Sequence, residues 1–551
     1  MWICEIYLLA SLPYKQNGGD NLQIITKEHL SNFVEKLLKN DKKILLEADK
    51  GVKHYDNVLE MSVANDLKEG FTCITNGYYS KGDGGGARYK IVKEPDVNSE
   101  FTVSCKNNLV GVLLFESPIN VRKIGVSEDS NNNSDLIQKA LNLYGNVYIP
   151  KGKYNIKKTI KLNSGNKLCG DGNGTILKLA DGCNCDVISC DTCDHFTVSG
   201  IRIDGNKTNN SYGNGIVIEC ANPMSTWSFV ENVFVEYCAE NGLWQKLNPW
   251  QTSVRNCTFS ECSGYGILNE ATDVMYSDIY ISNCKGGFKE LGSSNKISDV
   301  KISGSGLKDT VDDTELWGHG FYAINSSRDM LANIEVQENR CHGFKLINCN
   351  DSIFSSCCSD RNGLICHAGN NSDVWAGLYL DGCTRILGNM IIQNYRNDGT
   401  QRYGLFSNSS EVRMDLIVRN CSVYYNFIGS ANINCKINGS VINNLDRTGF
   451  PSVDVYENII NLLTDSTLEY TAINNGFISI IGSSSSDDSE IIVDVYDSYN
   501  SISYGDSRVV NNGKGVKILV PVERGVKVKI TKNDAITLTR VLFLHSNNIK
   551  I

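Results

Sequence analysis

Three stretches of the chain decide its fold: ENVFVEYCAENGLWQ (231–245), RNCTFSECSGYGILNE (255–270) and SDIYISNCKGGFKE (277–290). In each, a polar residue precedes alternating apolar and variable residues, then a cysteine, then a glycine that opens a second apolar run. Alternation with a period of two predicts a strand that buries one face. The stretches therefore predict pairs of short strands that recur along the chain.

The pattern repeats roughly every 22–24 residues from about residue 195 to about residue 445. Its polar anchors are Asn232, Asn256, Asp278, Asp299, Asn333 and Ser356. The apolar pairs after them are Val233/Val235, Cys257/Phe259, Ile279/Ile281, Val300/Ile302 and Ile334/Val336. One unit cannot bury its apolar face alone, so we expect the units to stack around a shared core. Leucine-rich repeats have a similar period, but their fixed leucine frame is absent, which favours coils made only of strands.

The chain on the N-terminal side of the repeat predicts two helices. Residues 22–47 place several apolar side chains near one helical face, and residues 134–144 form an amphipathic pattern with Ser134 as a candidate cap. Residues 146–156 and 167–179 each predict two strands joined by a turn. The glycine-rich stretch at 77–92 predicts a tight turn between β-like flanks.

The chain beyond the repeat changes character. Alternating segments at 476–482, 490–497, 515–531 and 538–545 predict a small β-sandwich. We therefore expect an N-terminal head or attachment region with one helix at 1–115, a coil region at 116–460 and a C-terminal β-sandwich at 461–551.

Composition argues against some partners. With 53 basic and 62 acidic side chains the formal net charge is −9, so nucleic acid is not an expected partner. A neutral or basic glycan is compatible with this charge, whereas a highly anionic one would need a local basic patch. No apolar run is long enough to span a membrane, and the first twelve residues lack the basic start of a signal peptide.

The 21 cysteines are an odd number in a long chain, and we interpret most of them as reduced core residues. Cys238, Cys262 and Cys284 recur at the coil period and predict a stack of buried free thiols. The stretch CNCDVISCDTC (183–193) has the residue types of a zinc site, but strand-like residues separate its ligand pairs. Core and turn thiols are therefore expected there, and neither a metal nor a cofactor is predicted.

Residues 130–179, with SDLIQKALN followed by NVYIPKGKYNIKKTIKL and LCGDGNGTILKL, resemble the N-terminal start of pectate-lyase-superfamily β-helix proteins. Residues 56–91 are similar to a segment that precedes this start in tailspikes of phages of Gram-positive bacteria. Residues 476–545 resemble the β-sandwich tips of phage tail proteins. The family often has Asp-Asp-Thr where this chain has Asn133-Ser134-Asp135. The resemblance implies an all-β protein: a right-handed parallel β-helix with a small N-terminal α/β cap region and a C-terminal β-sandwich.

The resemblance also implies a function. It suggests a homotrimeric, tailspike-like receptor-binding protein that binds and cleaves bacterial surface polysaccharide, as an endo-acting glycoside hydrolase or lyase. The resemblance does not specify the reaction, and of the two we favour hydrolysis. Such a protein would be assembled in the host cytoplasm, join the phage tail or baseplate through its N-terminal region and act in the virion tail. Two alternatives stay open, because the fold hosts many functions: a stand-alone bacterial polysaccharide-degrading enzyme and a structural adhesin without turnover.

One interval of the repeat, from Asp299 to Asn333, is stretched by the insertion KDTVDDTELWGHG (308–320). Polygalacturonase-type hydrolases carry Asp-Asp and Gly-His-Gly motifs, but here the two lie less than one coil apart and the partner motifs are missing. Glycoside hydrolysis needs two nearby carboxylates, and the insertion is rich in them. The candidate catalytic residues are Asp312, Asp313, Glu315, His319 and Glu270. The alternative interpretation is a solvated acidic loop without a catalytic role.

The second strand of each coil predicts an outward column that includes aromatic and basic side chains. Rings in such a column could stack on sugars, or the column could face a neighbouring subunit. The candidate substrate-binding residues are Trp244, Trp317, Tyr322, Lys289, Lys345, Tyr379 and Asp381.

Overall fold

The structure is a computed structural model. It describes residues 35–36, 51–93, 101–308, 315–364, 375–428, 432–438, 440–443, 456–458, 467–471, 476–496, 502–510, 513–522 and 526–545. The chain divides into two compact units, residues 1–115 and 116–551. The helix expected within 22–47 lies outside the described residues, except for Glu35 and Lys36, which are helical.

The N-terminal unit contains a five-stranded sheet of order β1-β2-β3-β5-β4 and one short helix. Its elements are β1 (Val52–Tyr55), α1 (Val58–Val63), β2 (Thr72–Thr75), β3 (Arg88–Val92), β4 (Thr102–Cys105) and β5 (Leu109–Leu114). The glycine-rich turn that follows β2 is organised by Asp83, whose carboxylate accepts hydrogen bonds from the backbone N–H groups of Tyr78, Tyr79, Ser80 and Gly85. These bonds lower the pKa of Asp83 although burial acts in the opposite direction.

A helix closes the start of the coil region, as the sequence predicts. Helix α2 (Ser134–Tyr144) buries Ile137, Ala140 and Leu141. The structure corrects the cap, because the N-cap residue is Asn133. The Ser134 hydroxyl instead accepts hydrogen bonds from the N–H groups of Lys157 and Lys158.

The coil region consists of two parallel sheets wound by the same chain. A 3₁₀ turn at Val121–Ile124 and another at Gly172–Gly174 accompany the first strands. The strands, in chain order, are β6 (Ile119–Asn120), β7 (Asn146–Ile149), β8 (Gly152–Ile156), β9 (Ile160–Leu162), β10 (Lys167–Gly170), β11 (Thr175–Leu179), β12 (Ile188–Asp191), β13 (Thr197–Ser199), β14 (Arg202–Asp204), β15 (Ile216–Glu219), β16 (Met224–Ser225), β17 (Phe229–Glu231), β18 (Phe234–Glu236), β19 (Leu243–Gln245), β20 (Pro249–Trp250), β21 (Ser253–Ser260), β22 (Tyr265–Asn269), β23 (Met275–Ser282), β24 (Gly286–Glu290), β25 (Lys296–Ser303), β26 (Phe321–Ile324), β27 (Met330–Gln337), β28 (Phe344–Ile347), β29 (Ile353–Asp360), β30 (Ala376–Asp381), β31 (Ile386–Gln393), β32 (Tyr403–Asn408), β33 (Glu411–Arg419), β34 (Val423–Ile428), β35 (Asn432–Ile437) and β36 (Ser440–Asn443).

We call the larger of these the long sheet and the smaller the short sheet. The 11-stranded short sheet runs β9-β12-β15-β19-β22-β24-β26-β28-β30-β32-β34. The 18-stranded long sheet contains β21, β23, β25, β27, β29, β31, β33, β35 and the shorter strands that precede them, and it ends with β36 antiparallel to β35. Strands β16 and β20 pair separately. The fold is thus the expected right-handed parallel β-helix.

The polar anchors of the repeat mark a bend in the long-sheet strands. The backbone φ is positive at all six anchors: Asn232, Asn256, Asp278, Asp299, Asn333 and Ser356. Asparagine and aspartate tolerate this left-handed conformation better than most residues. Neighbouring anchors also bond to each other, since the Asn333 amide donates to Asp299 across 3.1 Å. The bend explains why the alternation of apolar residues restarts after each anchor.

The apolar residues that alternate after each anchor fill the interior, as predicted. Phe259, Ile281 and Ile302 are fully buried and pair in register from coil to coil. The recurring glycine has a steric cause: a Cβ at Gly287 would lie 2.0 Å from the carbonyl oxygen of Gly320. Only glycine lets the coils approach this closely where the second strand begins.

The cysteine stack is confirmed. Cys238, Cys262 and Cys284 are buried and unbridged. In the following coils the same position holds buried polar residues that bind the backbone of the preceding coil: Asn339 accepts from the Ser305 N–H, and Asn362 accepts from the Asn339 N–H. The thiol prediction is wrong for Cys190 and Cys193, which form a disulfide; Cys183 and Cys185 are free.

A carboxyl group also lies in the interior. Glu290 is fully buried and accepts hydrogen bonds from the side chains of Asn269 and Asn295 and from the Gly292 N–H. Burial, followed by the charge of Asp329, raises the pKa of Glu290 well above its usual range. Because Glu290 is fully buried, we interpret it as a structural carboxyl group that is positioned by these hydrogen bonds.

The C-terminal residues form the expected β-sandwich. One sheet has the order β37-β44-β39-β42 and the other β38-β43-β40-β41. The strands are β37 (Tyr456–Asn458), β38 (Thr467–Thr471), β39 (Gly476–Ser484), β40 (Ser489–Tyr496), β41 (Ile502–Val510), β42 (Gly515–Val522), β43 (Lys527–Lys532) and β44 (Ile536–His545). Ile480 and Ile518 of one sheet share a buried cluster with Val493 and Ile530 of the other. Because β37 pairs with β44, the sandwich includes residues before 461.

Candidate functional site

Long connections gather at one corner of the β-helix, where a long-sheet strand leads into the following short-sheet strand. The connections at 304–320, 361–375 and 394–402 are long, whereas those at 283–285 and 420–422 are minimal turns. We call this edge the loop corner. Insertions on a rigid solenoid map to the face that binds, because the coils already satisfy the backbone.

The carboxylates predicted to be catalytic are only partly described. Asp312 and Asp313 lie outside the described residues. Glu315 is at the loop corner, with a side chain that is 84% exposed and 2.9 Å from the ammonium group of Lys345. Glu270 follows β22, where its N–H donates to the Gln245 carbonyl oxygen and its charge acts on Lys289. The charge of Glu270 thus acts on Lys289, whereas Glu315 pairs with Lys345.

The column predicted along the second strands exists as one line of residues across the short sheet. Its members pair from strand to strand in the order Trp244, Leu268, Lys289, Tyr322, Lys345, Tyr379 and Phe406. However, Tyr322 and Lys345 are only 3% and 2% exposed. A sugar could not reach either of them with the Glu315 segment in this position. Their proposed contact with substrate stays a prediction.

Two histidines lie beside the buried ammonium group of Lys345. His319 is buried, and its Nε2 is 3.3 Å from the Lys345 Nζ. Its ring contacts those of Tyr322 and His342, with centroids 5.1 and 5.3 Å away. Burial, followed by the nearby His319 and Lys345, holds the pKa of His342 well below its usual range. The cluster contacts the insertion, because the Lys345 ammonium group and the His319 ring both lie against the Glu315 carbonyl oxygen.

The remaining predicted binding residues are dispersed along the column. Tyr379 stacks on Phe406, with centroids 5.2 Å apart and planes 5° apart. Asp381 accepts a hydrogen bond of 2.9 Å from the Asn408 side chain. Trp244 lies several coils away, where the Lys246 ammonium group sits 4.6 Å from its ring. The structure therefore does not bring Trp244 together with the loop corner.

Lysines and rings alternate at the N-terminal end of the loop corner. Lys285 lies 4.6 Å from the Trp317 ring, which stacks on Tyr265 at 4.6 Å. Lys289 lies between the rings of Tyr265 and Tyr322, at 5.0 and 5.4 Å. We call these five residues the lysine–ring row. Trp317, Lys289 and Tyr322 were predicted from the sequence; Lys285 and Tyr265 were not.

A second group of carboxylates at the loop corner was not predicted. Asp360 ends strand β29 and is 8% exposed. Its carboxylate accepts hydrogen bonds of 3.1 Å from the Tyr395 N–H and from the Gln393 side chain. Burial raises the pKa of Asp360 despite these bonds, and the charges of Glu335 and Glu338 raise it further.

Glu338, one coil away, has the opposite environment. The Tyr395 hydroxyl donates to its carboxylate across 2.7 Å, and the Arg361 guanidinium lies 2.8 Å away. The hydroxyl, and then the guanidinium, lower the pKa of Glu338 although burial opposes them. The backbone N–H of Glu338 donates to the Asp360 carbonyl oxygen, so the two residues are direct neighbours. The loop corner therefore holds one carboxyl group with a raised pKa beside one with a lowered pKa.

The sequence contained a signal for this group. After the anchor Ser356 the next strand-opening glycine is Gly377, much later than the spacing of the earlier coils predicts. This delay marks the connection at 361–375 as an insertion, as the interval after Asp299 marked the first. No sequence feature near Tyr395 identifies it as a site residue, because it is 57 residues away in the chain from Glu338, to which its hydroxyl donates.

Within the part of the chain that the structure describes, no three His, Cys, Asp or Glu side chains are arranged to hold a metal ion. The same residues include no helix with the length and apolar character needed to cross a membrane.

Two family models match the chain. The model for a right-handed β-helix region matches residues 241–395, and the model described as rhamnogalacturonase A/epimerase, pectate lyase-like, matches residues 118–189. Together with the two wound sheets, these matches confirm the resemblance to pectate-lyase-like proteins. The chain has the fold of a right-handed parallel β-helix, and residues 118–189 resemble pectate-lyase-like proteins.

Solved structures with the same fold include phage tailspikes. The enzymatically active domain of tailspike protein 2 from bacteriophage CBA120 superposes with a TM-score of 0.61 at 12% identity, over 94% of this chain and 92% of that chain. The gp42 tailspike of Acinetobacter phage vb_AbaP_AS12 gives 0.54 at 11% identity, over 91% of this chain and 95% of that chain. At such identities the likeness shows the fold. No curated protein matches the sequence significantly.

Proposed function

We propose that this chain is a tailspike-like protein that binds a bacterial surface polysaccharide and cleaves it by hydrolysis at the loop corner. The observation that carries the proposal is the neighbouring pair of Asp360 and Glu338, whose surroundings push their pKa values in opposite directions. Two carboxyl groups in contrasting environments are what glycoside hydrolysis requires. The fold shared with tailspikes supports the same function.

The chemistry follows from the two environments. Asp360, whose pKa burial raises, donates a proton to the glycosidic oxygen as the bond to the anomeric carbon breaks. Glu338, held ionised by Tyr395 and Arg361, assists the group that attacks the anomeric carbon. Water supplies the hydroxyl of the new reducing end. Asp360 regains its proton from the solvent or from that water.

The insertion at 308–320 is rich in carboxylates, and Glu315, its described carboxylate, lies at the same edge. Asp312, Asp313 and Glu315 retain their predicted catalytic roles as proposals, with His319 as a possible positioning partner. Substituting them tests whether the reacting pair lies in this insertion or at Asp360 and Glu338.

We further propose a homotrimer that forms part of a virion tail and attaches through its N-terminal region. The outer face of the long sheet supports self-association, because exposed apolar side chains recur along one column. They are Phe229, Met275, Met330 and Ile353. Ser253 and Lys296 lie between them in the same column. A solenoid that buried this column against two further copies would remove the four apolar side chains from water.

The location of the active site is tested with four variants and one polysaccharide that the wild-type protein degrades. Glu338→Gln should lower the rate at which polymer size falls by at least ~100-fold. Glu490→Gln, at an exposed position on β40, is the matched control and should keep the rate within about threefold. Asp313→Asn and Glu315→Gln test the insertion, and both should stay near the wild-type rate if the reacting pair is Asp360 and Glu338. If Glu338→Gln is active and Asp313→Asn is not, the site lies in the insertion.

A further inference from the structure

The lysine–ring row contains two ammonium groups that lie against aromatic rings, with Glu270 as a nearby opposite charge. Among the described residues, Lys285 and Lys289 form no ion pair, and their ammonium groups lie against rings instead. Some lysines of the coil region have acidic partners, such as Lys246 with Glu219 and Lys308 with Glu261. Lys285 and Lys289 instead place two ammonium groups against one cluster of aromatic rings.

The surroundings of Lys289 show that its charge is not fully compensated. Burial lowers the pKa of this lysine, Glu270 opposes that effect, and the charge of Lys345 adds to it. Lys345 itself is already paired with Glu315 at 2.9 Å. An anionic group placed beside Lys289 would therefore stabilise the ammonium form.

The rings hold the lysines in a fixed arrangement. The Trp317 and Tyr265 rings lie 4.6 Å apart with planes at 26°, and the Tyr265 hydroxyl donates to the Leu316 carbonyl oxygen across 2.7 Å. This stack fits only because residue 286 is glycine: a Cβ there would lie 2.4 Å from the Tyr265 ring. Ordered cations beside a stacked aromatic pair match a sugar that carries an acid group, since the ring face stacks and the acid pairs.

We propose that the lysine–ring row binds an acidic sugar of the polysaccharide, with its carboxylate or phosphate paired to Lys285 and Lys289 and Trp317 against its ring face. This inference rests on the proposed function and names its substrate class: an anionic surface glycan. The row and the Asp360–Glu338 pair both lie at the loop corner. The connections that hold Lys285 and Glu338 are two coils apart, or about 10 Å along the axis, so one glycan chain can contact both.

The test uses purified bacterial surface polysaccharides, each in native form, after carboxyl reduction and after removal of phosphate. We expect the polysaccharide that the full chain binds to be anionic, and removal of its acid groups to weaken binding at least tenfold. The arm that loses binding identifies the acid as carboxylate or phosphate. In the native arm, Lys285→Met/Lys289→Met should weaken binding at least tenfold and reduce its salt dependence. The control Lys68→Met/Lys151→Met, which neutralises two exposed lysines elsewhere, should bind as the wild type does.

The possible failures are distinguishable. Cleavage of a neutral polysaccharide, unchanged binding after the acid groups are removed, or full binding by the double variant would overturn the inference and leave the proposed function intact. If the wild-type chain neither binds nor cleaves any member of the panel, the proposed function itself fails.

Discussion

Substituting Asp360 by asparagine removes its acidic proton while it largely preserves the structural hydrogen bonds of the side chain. The side chains have nearly the same size, and the amide oxygen can still accept the hydrogen bond from the Tyr395 N–H, which is 3.1 Å long. The amide NH₂ would then face the Gln393 side chain, whose own amide can rotate to present its oxygen. We therefore expect a loss of folding stability of no more than about 1 kcal/mol.

The effect on turnover should be much larger. A positioned general acid contributes roughly 10²–10⁴-fold, or about 3–5 kcal/mol of transition-state stabilisation. Asp360 is 8% exposed, so solvent cannot easily replace the lost proton donor. We expect kcat for Asp360→Asn to fall by at least ~100-fold while the affinity for the polysaccharide changes by less than about threefold.

The assay is the release of reducing ends under saturating polysaccharide, with affinity measured separately by binding to the immobilised glycan. Asp415→Asn, at an exposed position on β33 of the same sheet, controls for the substitution itself. If Asp360→Asn keeps more than half of the wild-type kcat, Asp360 is not the acid and the argument from its surroundings is refuted.

Three further predictions concern neighbouring parts of the molecule. Tyr395→Phe removes the first cause of the lowered pKa of Glu338, so that pKa should rise and the acidic limb of the pH–rate profile should move to higher pH; an unmoved limb would show that Glu338 does not titrate in turnover. Cys262→Ser places a hydroxyl in a buried thiol stack and should cost about 1–3 kcal/mol of unfolding free energy in a denaturant titration; no measurable loss would contradict the stack. Met330→Glu adds a charge to the exposed apolar column and should lower the mass found by light scattering from that of a trimer to that of a monomer, whereas an unchanged trimer would exclude this face as the interface.

Much of the fold could be predicted because the coil pattern is local. The alternation after Asn256 and Asp278 identifies which side chains point inward, and the glycine at 287 identifies where coils come closest. Each of these features acts within one coil and repeats in the next. The bend at the anchors has the same origin, since it depends on the residue type at a single position.

The candidate site was less predictable because it depends on contacts between distant parts of the chain. Glu338 is distinguished from other exposed acids by Tyr395 and Arg361, and Tyr265 meets the insertion across 51 residues. The sequence pattern also did not predict burial. Lys345 lies in the predicted outward column, but the segment that contains Glu315 covers it. A column shows which residues share a face but not what lies above them.

The central claim is that the chain hydrolyses a bacterial surface polysaccharide. The most direct measurement incubates the full chain with purified host polysaccharide and follows reducing ends and unsaturated-uronate absorbance together. Hydrolysis predicts reducing ends that accumulate without any rise in that absorbance, and both signals flat for Asp360→Asn. A parallel rise in absorbance would assign β-elimination instead, and binding without either signal would contradict catalysis altogether.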